Sequence, residues 1–207
     1  MLIKLGQCFE FPPYGALLQR STVAIMQALS HHRFMRHVIS VLMQNEVGAL
    51  TRFTGLFSTR GYNIETLNVA PTDDAGVSRL TMVVSGSDYA IGQITNQIGK
   101  LVDVVNIHDM TLGEHYENEM LILKLQLGIG GVAKAQALAS QFGATVLDDD
   151  AQSYTLQMIA SPKDVQQLIE SAAEIGQIAA VARSGSVAVS KGLVSLSSYD
   201  VNRQLTG

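Results

Sequence analysis

The sequence predicts an α+β chain on three observations. Apolar runs of strand length alternate with segments whose apolar residues recur at helical spacing. The order strand, helix, strand, strand, helix, strand can be read twice, and clusters of turn residues fall between the predicted strands.

The first unit opens with a strand from Arg36 to Met43. Its stretch Val38-Ile39-Ser40-Val41-Leu42-Met43 has the length and β-branched content of a buried strand, although periodicity alone does not exclude a helix. The helix that follows runs from Gly48 to Arg60, with Leu50, Phe53, Leu56 and Phe57 on one face and Arg52 and Thr59 off it. A strand from Tyr62 to Ala70 comes next. Pro71-Thr72-Asp73-Asp74-Ala75-Gly76 then supplies a turn, with Pro fixing φ and Gly allowing positive φ, before a strand from Val77 to Ser85. Ser87 and Asp88 are N-cap candidates for a second helix carrying Ile91, Ile94, Ile98 and Leu101, and a strand from Val102 to Met110 closes the unit. Both helices can cover one face of an antiparallel sheet. Its other face or edge needs protection, which pairing two such sheets edge to edge or face to face would supply.

The second unit begins after Gly113. Met120 to Leu125 reads as a strand, and Val132, Ala135, Leu138, Ala139 and Phe142 mark a helical face that Gly143 terminates. Two short strands, Ala144 to Leu147 and Ser153 to Ala160, are joined through Asp148-Asp149-Asp150. Those aspartates read as a solvated turn rather than a metal site, because no further spaced ligands accompany them. Ser161-Pro162-Lys163-Asp164 is a helix start, with a polar N-cap before proline at the first helical position. That helix should bury Val165, Leu168, Ile169 and Ala172. A final strand region, Ile178 to Val189, ends in Ser190-Lys191-Gly192. Each unit is thus a ferredoxin-like βαββαβ domain, spanning 35–112 and 113–192.

The flanks differ. Residues 1–34 hold Pro12, Pro13 and the only cysteine, Cys8, lack a secretory h-region, and are expected to be largely disordered with a short helix from Leu17 to Leu29. His31-His32 lacks the further ligands of a metal site. Residues 193–207 are expected to form a mobile tail.

Composition narrows the function. Only 15% of residues are charged against 47% hydrophobic, so some apolar surface is expected at an interface. A net charge of −4 argues against a nucleic-acid footprint, and a lone cysteine excludes an intrachain disulfide or a CxxC metal site. No apolar run reaches transmembrane length, and the default location is the cytoplasm. Phosphate-loop and Rossmann motifs are absent, so no cofactor is expected in this chain.

The best functional clue is Asn45-Glu46-Val47-Gly48-Ala49-Leu50, where strand turns into helix. The first helical N–H groups lack intrahelical partners and sit at the positive end of the macrodipole, so a carboxylate can bind there. Gly48 removes a side chain where a ligand must approach. On spacing alone, an ordinary turn capped by Asn45 or Glu46 is the better reading.

Longer stretches carry a resemblance. Asn45-Glu46, Gly48-Ala49-Leu50, Gly55-Leu56-Phe57-Ser58, Arg60-Gly61-Tyr62-Asn63-Ile64-Glu65-Thr66-Leu67, Val69-Ala70-Pro71-Thr72-Asp73-Asp74 and Lys100-Leu101-Val102-Asp103-Val104 resemble the small, regulatory subunit of acetolactate synthase, also called acetohydroxyacid synthase, from Met35 onward. The start of that resemblance suggests an extension from an upstream start codon. In that family the N-terminal half is an ACT domain, these halves pair as homodimers, and a feedback amino acid, most often valine, binds at the interface. The matching positions are Asn45, Gly48, Ala49 and Leu50 of one subunit with Asn63 and Ile64 of its partner. Backbone N–H groups near Gly48, Ala49 and Leu50 would take the α-carboxylate, side-chain oxygens of Asn45 or Asn63 the α-ammonium, and Ile64 and Leu50 would wall the apolar pocket. Tyr62 and Phe57 are better read as packing residues.

The resemblance also implies a large catalytic subunit that uses thiamine diphosphate, Mg and usually FAD, activated by this chain. The second half departs more: Asn118 stands where relatives usually carry arginine, Gly128-Ile129-Gly130-Gly131 lacks charged residues, and Lys191-Gly192 replaces Arg-Gly, while Ala182-Arg183-Ser184-Gly185 is retained. Two rival readings are a stand-alone ACT-domain sensor or transcription regulator, and an enzyme using Glu65 or His108.

Overall fold

The computed structural model describes residues 34–150, 152–192 and 196. The expectations for residues 1–33, including a helix from Leu17 to Leu29, lie outside the described residues, as does the tail beyond Gly192 apart from Leu196.

In the first unit, β1 (Phe34–Gln44), α1 (Ala49–Thr59), β2 (Ile64–Pro71), β3 (Val77–Ser87), α2 (Asp88–Ile98) and β4 (Val104–Asp109) form an antiparallel four-stranded sheet of order β2-β3-β1-β4 under two helices. Alternation along β1 puts Ile39, Val41 and Met43 on the helix side, where they bury against Phe53, Phe57, Leu80, Met82 and Ile94. α2 starts as expected, with the Ser87 hydroxyl accepting from the Ala90 N–H at 3.3 Å. It stops at Ile98, so Leu101 reaches the core from the turn rather than from the helix. Leu50 also departs from expectation: it is 40% exposed, because the register of α1 gives the core position to Ala49.

The second unit repeats the topology. β5 (His115–Gln126), α3 (Gly131–Phe142), β6 (Thr145–Asp149), β7 (Ser153–Ala160), α4 (Pro162–Ala173) and β8 (Gln177–Arg183) give the order β6-β7-β5-β8, and β9 (Val187–Ser190) adds to β5. Gly143 closes α3 at φ 65°, and the Ser161 hydroxyl accepts from the Asp164 N–H at 3.2 Å to open α4. Asp148 and Asp149 lie inside β6 opposite Thr155 and Tyr154, leaving only Asp150 in the turn. The final strand region divides at Ser184-Gly185-Ser186 into β8 and β9, where Gly185 has φ 72°.

That division explains the extra length of β5. Its second half pairs with β7 and β8, whereas its first half, His115 to Asn118, pairs with β9 alone. The β5/β9 ribbon lies on the outer face of the first sheet, where Ala188 buries against Val38, Val83 and Met110. Further along that face, Arg79 Nη2 donates to the Leu196 carbonyl at 3.0 Å. The chain therefore covers the outer face of its first sheet with its own C-terminal segment.

Candidate functional site

β1 hands over to α1 through a turn held at both ends. The Gln44 N–H donates to the Asp103 carbonyl at 2.7 Å and the Asn45 N–H to the Gly76 carbonyl at 2.8 Å. Asn45 Nδ2 donates to the Ala75 carbonyl at 3.0 Å, which fixes the amide and turns it away from a capping role. The residue in the cap position is Gly48, with φ 86°, a conformation that side chains disfavour. A β-carbon on Gly48 would stand 2.9 Å from Arg52 Nη1, so the guanidinium lies directly over the turn.

Arg52 is itself held. Its Nε and Nη2 donate to the two carboxylate oxygens of Asp103 at 2.6 and 2.7 Å, a bidentate pair. Asp103 is 3% exposed, and Arg52 holds its carboxyl below the usual carboxylate range. The turn therefore presents the positive end of α1 beside a fixed cation, an arrangement suited to an anionic group.

The six expected site residues fall into two separate groups. Asn45, Gly48, Ala49 and Leu50 gather at the β1–α1 turn. The Ala49 N–H there turns back to the Glu46 carbonyl at 3.2 Å and the Ala49 side chain is buried, so Ala49 has less to offer a ligand than the resemblance implies. Asn63 and Ile64 stand at the other end of the sheet: Ile64 pairs with Val84, Val84 with His37, and Gln44 lies seven residues further along β1. That separation is about 23 Å. One protomer cannot close both groups around a small amino acid.

The structure also brings together residues that the sequence left unconnected. Arg183 Nε and Nη2 each donate to Glu119 at 2.7 Å, and Glu119 is 1% exposed. Arg36 pairs with both carboxylate oxygens of Glu117 and donates to the Ser186 hydroxyl at 3.2 Å. Asn68 Nδ2 reaches the Ser184 carbonyl at 3.3 Å, and a groove of about 270 Å³ lies between Glu65, Thr66 and Leu67 of β2 and Glu119, Arg183 and Gly185. The retained run Arg183-Ser184-Gly185 was the only sequence signal for this junction.

The comparisons with known proteins match this architecture. Residues 39–106 fit the model of the AHAS small subunit-like ACT domain, and residues 118–192 that of the small subunit of acetolactate synthase. The acetolactate synthase isozyme 3 small subunit of Salmonella typhimurium is 39% identical over 158 residues, covering 76% of this chain and 97% of that protein. The chain belongs to the acetolactate synthase small-subunit family. The small subunit of Mycolicibacterium smegmatis is 33% identical over 156 residues, covering 75% and 91% of the two chains. The crystal structure of the Thermotoga maritima small subunit superposes with a TM-score of 0.70 at 27% identity, covering 77% of this chain and 99% of that one.

This small subunit is a non-catalytic regulatory chain of acetolactate synthase, and the catalytic activity lies in the large subunit. The stand-alone sensor reading is thereby set aside, and so is the enzyme reading. Glu65 accepts from the Ser85 hydroxyl, and His108 sits in β4 opposite Ser40. Among the described residues no group of three or more His, Cys, Asp and Glu could hold a metal ion, and no helix is long and apolar enough to cross a membrane.

Proposed function

We propose that this small subunit activates a cytoplasmic large subunit and makes it sensitive to valine, bound between the ACT domains, residues 35–112, of two copies. The observation that carries the reading is the placement of the expected residues at opposite ends of one sheet. Ile64 opens the edge strand β2 and Asn63 directly precedes it, and the open side of that strand can pair with a second copy and bring both to the partner's Gly48 turn. The ligand carboxylate would meet the start of α1, its ammonium the side-chain oxygens of Asn45 and the partner's Asn63, and its side chain Leu50 and the partner's Ile64. Such a pocket separates valine from isoleucine or leucine by only about 1–3 kcal/mol per methylene, so related branched-chain amino acids bind too.

Thiamine diphosphate, Mg and FAD belong to the large subunit in this reading, and the small chain acts on it only by shifting an equilibrium between more and less active states. The coupling needed is about 1–3 kcal/mol. The test is acetolactate formation by the matching large subunit, with and without this chain, across a valine titration. Stimulation that valine reverses is the expected result, and Gly48→Asp, which sets a carboxylate where the ligand's would bind, should keep the stimulation and lose the reversal. A fully valine-sensitive Gly48→Asp chain would refute the site.

A further inference from the structure

Near its start, β1 carries a histidine that the candidate site does not use. His37 is 4% exposed and lies on the helix side of the first sheet, in the row of Ile39, Val41 and Met43. It meets carboxylates from two other elements. Its Nδ1 stands 3.3 Å from Asp109 Oδ2, at the end of β4, and 3.3 Å from the Thr111 hydroxyl. Its Nε2 stands 3.4 Å from Oδ1 of Asp88, the first residue of α2. Among the described residues, these two aspartates are the charged groups paired with the ring. β3 sets the uncharged Val84 beside it, and the neighbouring cation Arg36 points to the opposite face, where it meets Glu117.

The partners fix the tautomer of the neutral ring. The Thr111 hydroxyl donates to Asp109 Oδ1 and accepts from the Val38 N–H at 3.1 Å, so it has no proton left for the imidazole. A carboxylate only accepts, and the ring proton therefore belongs on Nδ1, toward Asp109. Nε2 is then a buried lone pair without a hydrogen bond, facing the carboxylate of Asp88. A second proton, placed on Nε2, converts that repulsive contact into an ion pair. The Asp88 side chain is 63% exposed, so it can turn to water when the proton leaves.

We propose that His37 is a pH-operated latch on the start of α2. Histidine is the side chain whose charge ordinarily changes between pH 5 and 8. Protonated, the ring ties Asp88, and with it the junction of β3 and α2, to β1; neutral, it releases them. That junction lies just beyond Val84, which pairs with His37 on one side and with Ile64 on the other. The latch therefore bears on the strand end that carries Ile64. Its consequence for the ligand rests on the valine reading above: the latched state holds Ile64 in place and binds valine more tightly, because less order is left to impose. The latched state holds the proton more tightly than the released one, so acid favours it and it is lost as the pH rises through the histidine range.

The test follows amide exchange in the full chain at about pH 5.5 and about pH 8, on either side of that range, with intrinsic exchange rates divided out. Protection of the Ala90 amide, which the Ser87 hydroxyl holds, should be roughly two- to fivefold greater at the lower pH, the size that an ion pair with an exposed partner gives. Asp88→Asn, at an exposed position, should abolish that ratio without touching the buried ring, and His37→Gln should do the same. A wild-type ratio of one overturns the proposal. So does a ratio that survives in Asp88→Asn, since an aspartate that only favours the helix dipole lowers protection equally at both pH values. In the valine titration with the matching large subunit, the wild-type chain should need roughly two- to fivefold less valine for half inhibition at the lower pH, relative to Asp88→Asn at the same pH. Valine inhibition that follows pH alike with both chains overturns the link to the ligand. If valine inhibits with neither chain at any pH, the valine reading itself fails, and the exchange ratio alone decides the latch.

Discussion

Arg52 Nη1 stands 2.9 Å from the point where a β-carbon on Gly48 would lie, while the other two guanidinium nitrogens are taken by the buried carboxylate of Asp103. Position 48 therefore disfavours a side chain through its left-handed backbone, and a β-carbon there would also have to displace the end of the Arg52 side chain that Asp103 holds. Gly48→Ala should destabilise the chain by about 1–2 kcal/mol from the backbone conformation alone. Urea denaturation would show it, and Arg52→Ala in the same chain should not recover that part of the loss.

The Arg52–Asp103 pair also sets a pH dependence. The Asp103 pKa is lowered in the folded chain, chiefly by hydrogen bonds from Arg52. Its stabilisation is therefore complete above the ordinary value of 3.8 and is lost as the pH falls through the lower folded value. Asp103→Asn should flatten the urea midpoint against pH in that acid window and leave the slope near neutrality unaltered.

Arg183 should matter more for stability than its 36% side-chain exposure suggests, because it neutralises a Glu119 side chain that is 1% exposed. Arg183→Met leaves a buried carboxylate without its cation and should cost about 3 kcal/mol, the lower end for a broken buried pair because Arg183 reaches solvent. Replacing both residues, with Glu119→Leu added to Arg183→Met, should restore much of that loss. Thermal melts of the two chains make the comparison.

Gly185 carries a fourth specific expectation. It has φ 72°, and a β-carbon there would come within 3.2 Å of Thr66 Cβ on β2. Gly185→Ala should push the β8–β9 junction away from β2, which begins at Ile64 just after Asn63. The half-inhibitory valine concentration should rise while stimulation of the large subunit persists. Loss of both together would mean that the contact only holds the chain folded.

Much of this architecture is legible in the sequence because its signals are local. Apolar alternation in β1, the Ser87 and Ser161 caps and the Gly143 stop each depend on a few neighbouring residues, and each appears where the pattern puts it. What escaped the reading is long-range. β5 begins at His115 rather than Met120 because its first half is stabilised by β9, more than sixty residues away, and His115-Tyr116-Glu117-Asn118 has no apolar core pattern of its own. The pairs Arg36–Glu117 and Glu119–Arg183 escaped for the same reason. For the candidate site the turn at Gly48 could be read, but the clamp on Arg52 could not, since Asp103 joins it only through the packing of β4 against β1.

The C-terminal cover on the first sheet has a consequence for the order in which the molecule is made. Synthesis delivers β1 to β4 first, yet Val38 and Val83 meet Ala188 only after some eighty further residues have emerged. Until then the leading half carries an unfinished apolar surface on the ribosome, and the final stitch joins Arg36 to Ser186 across a separation of 150 residues. Contacts that distant slow folding and prolong exposure to aggregation, so the nascent leading half is the stage at which chaperones have most to protect.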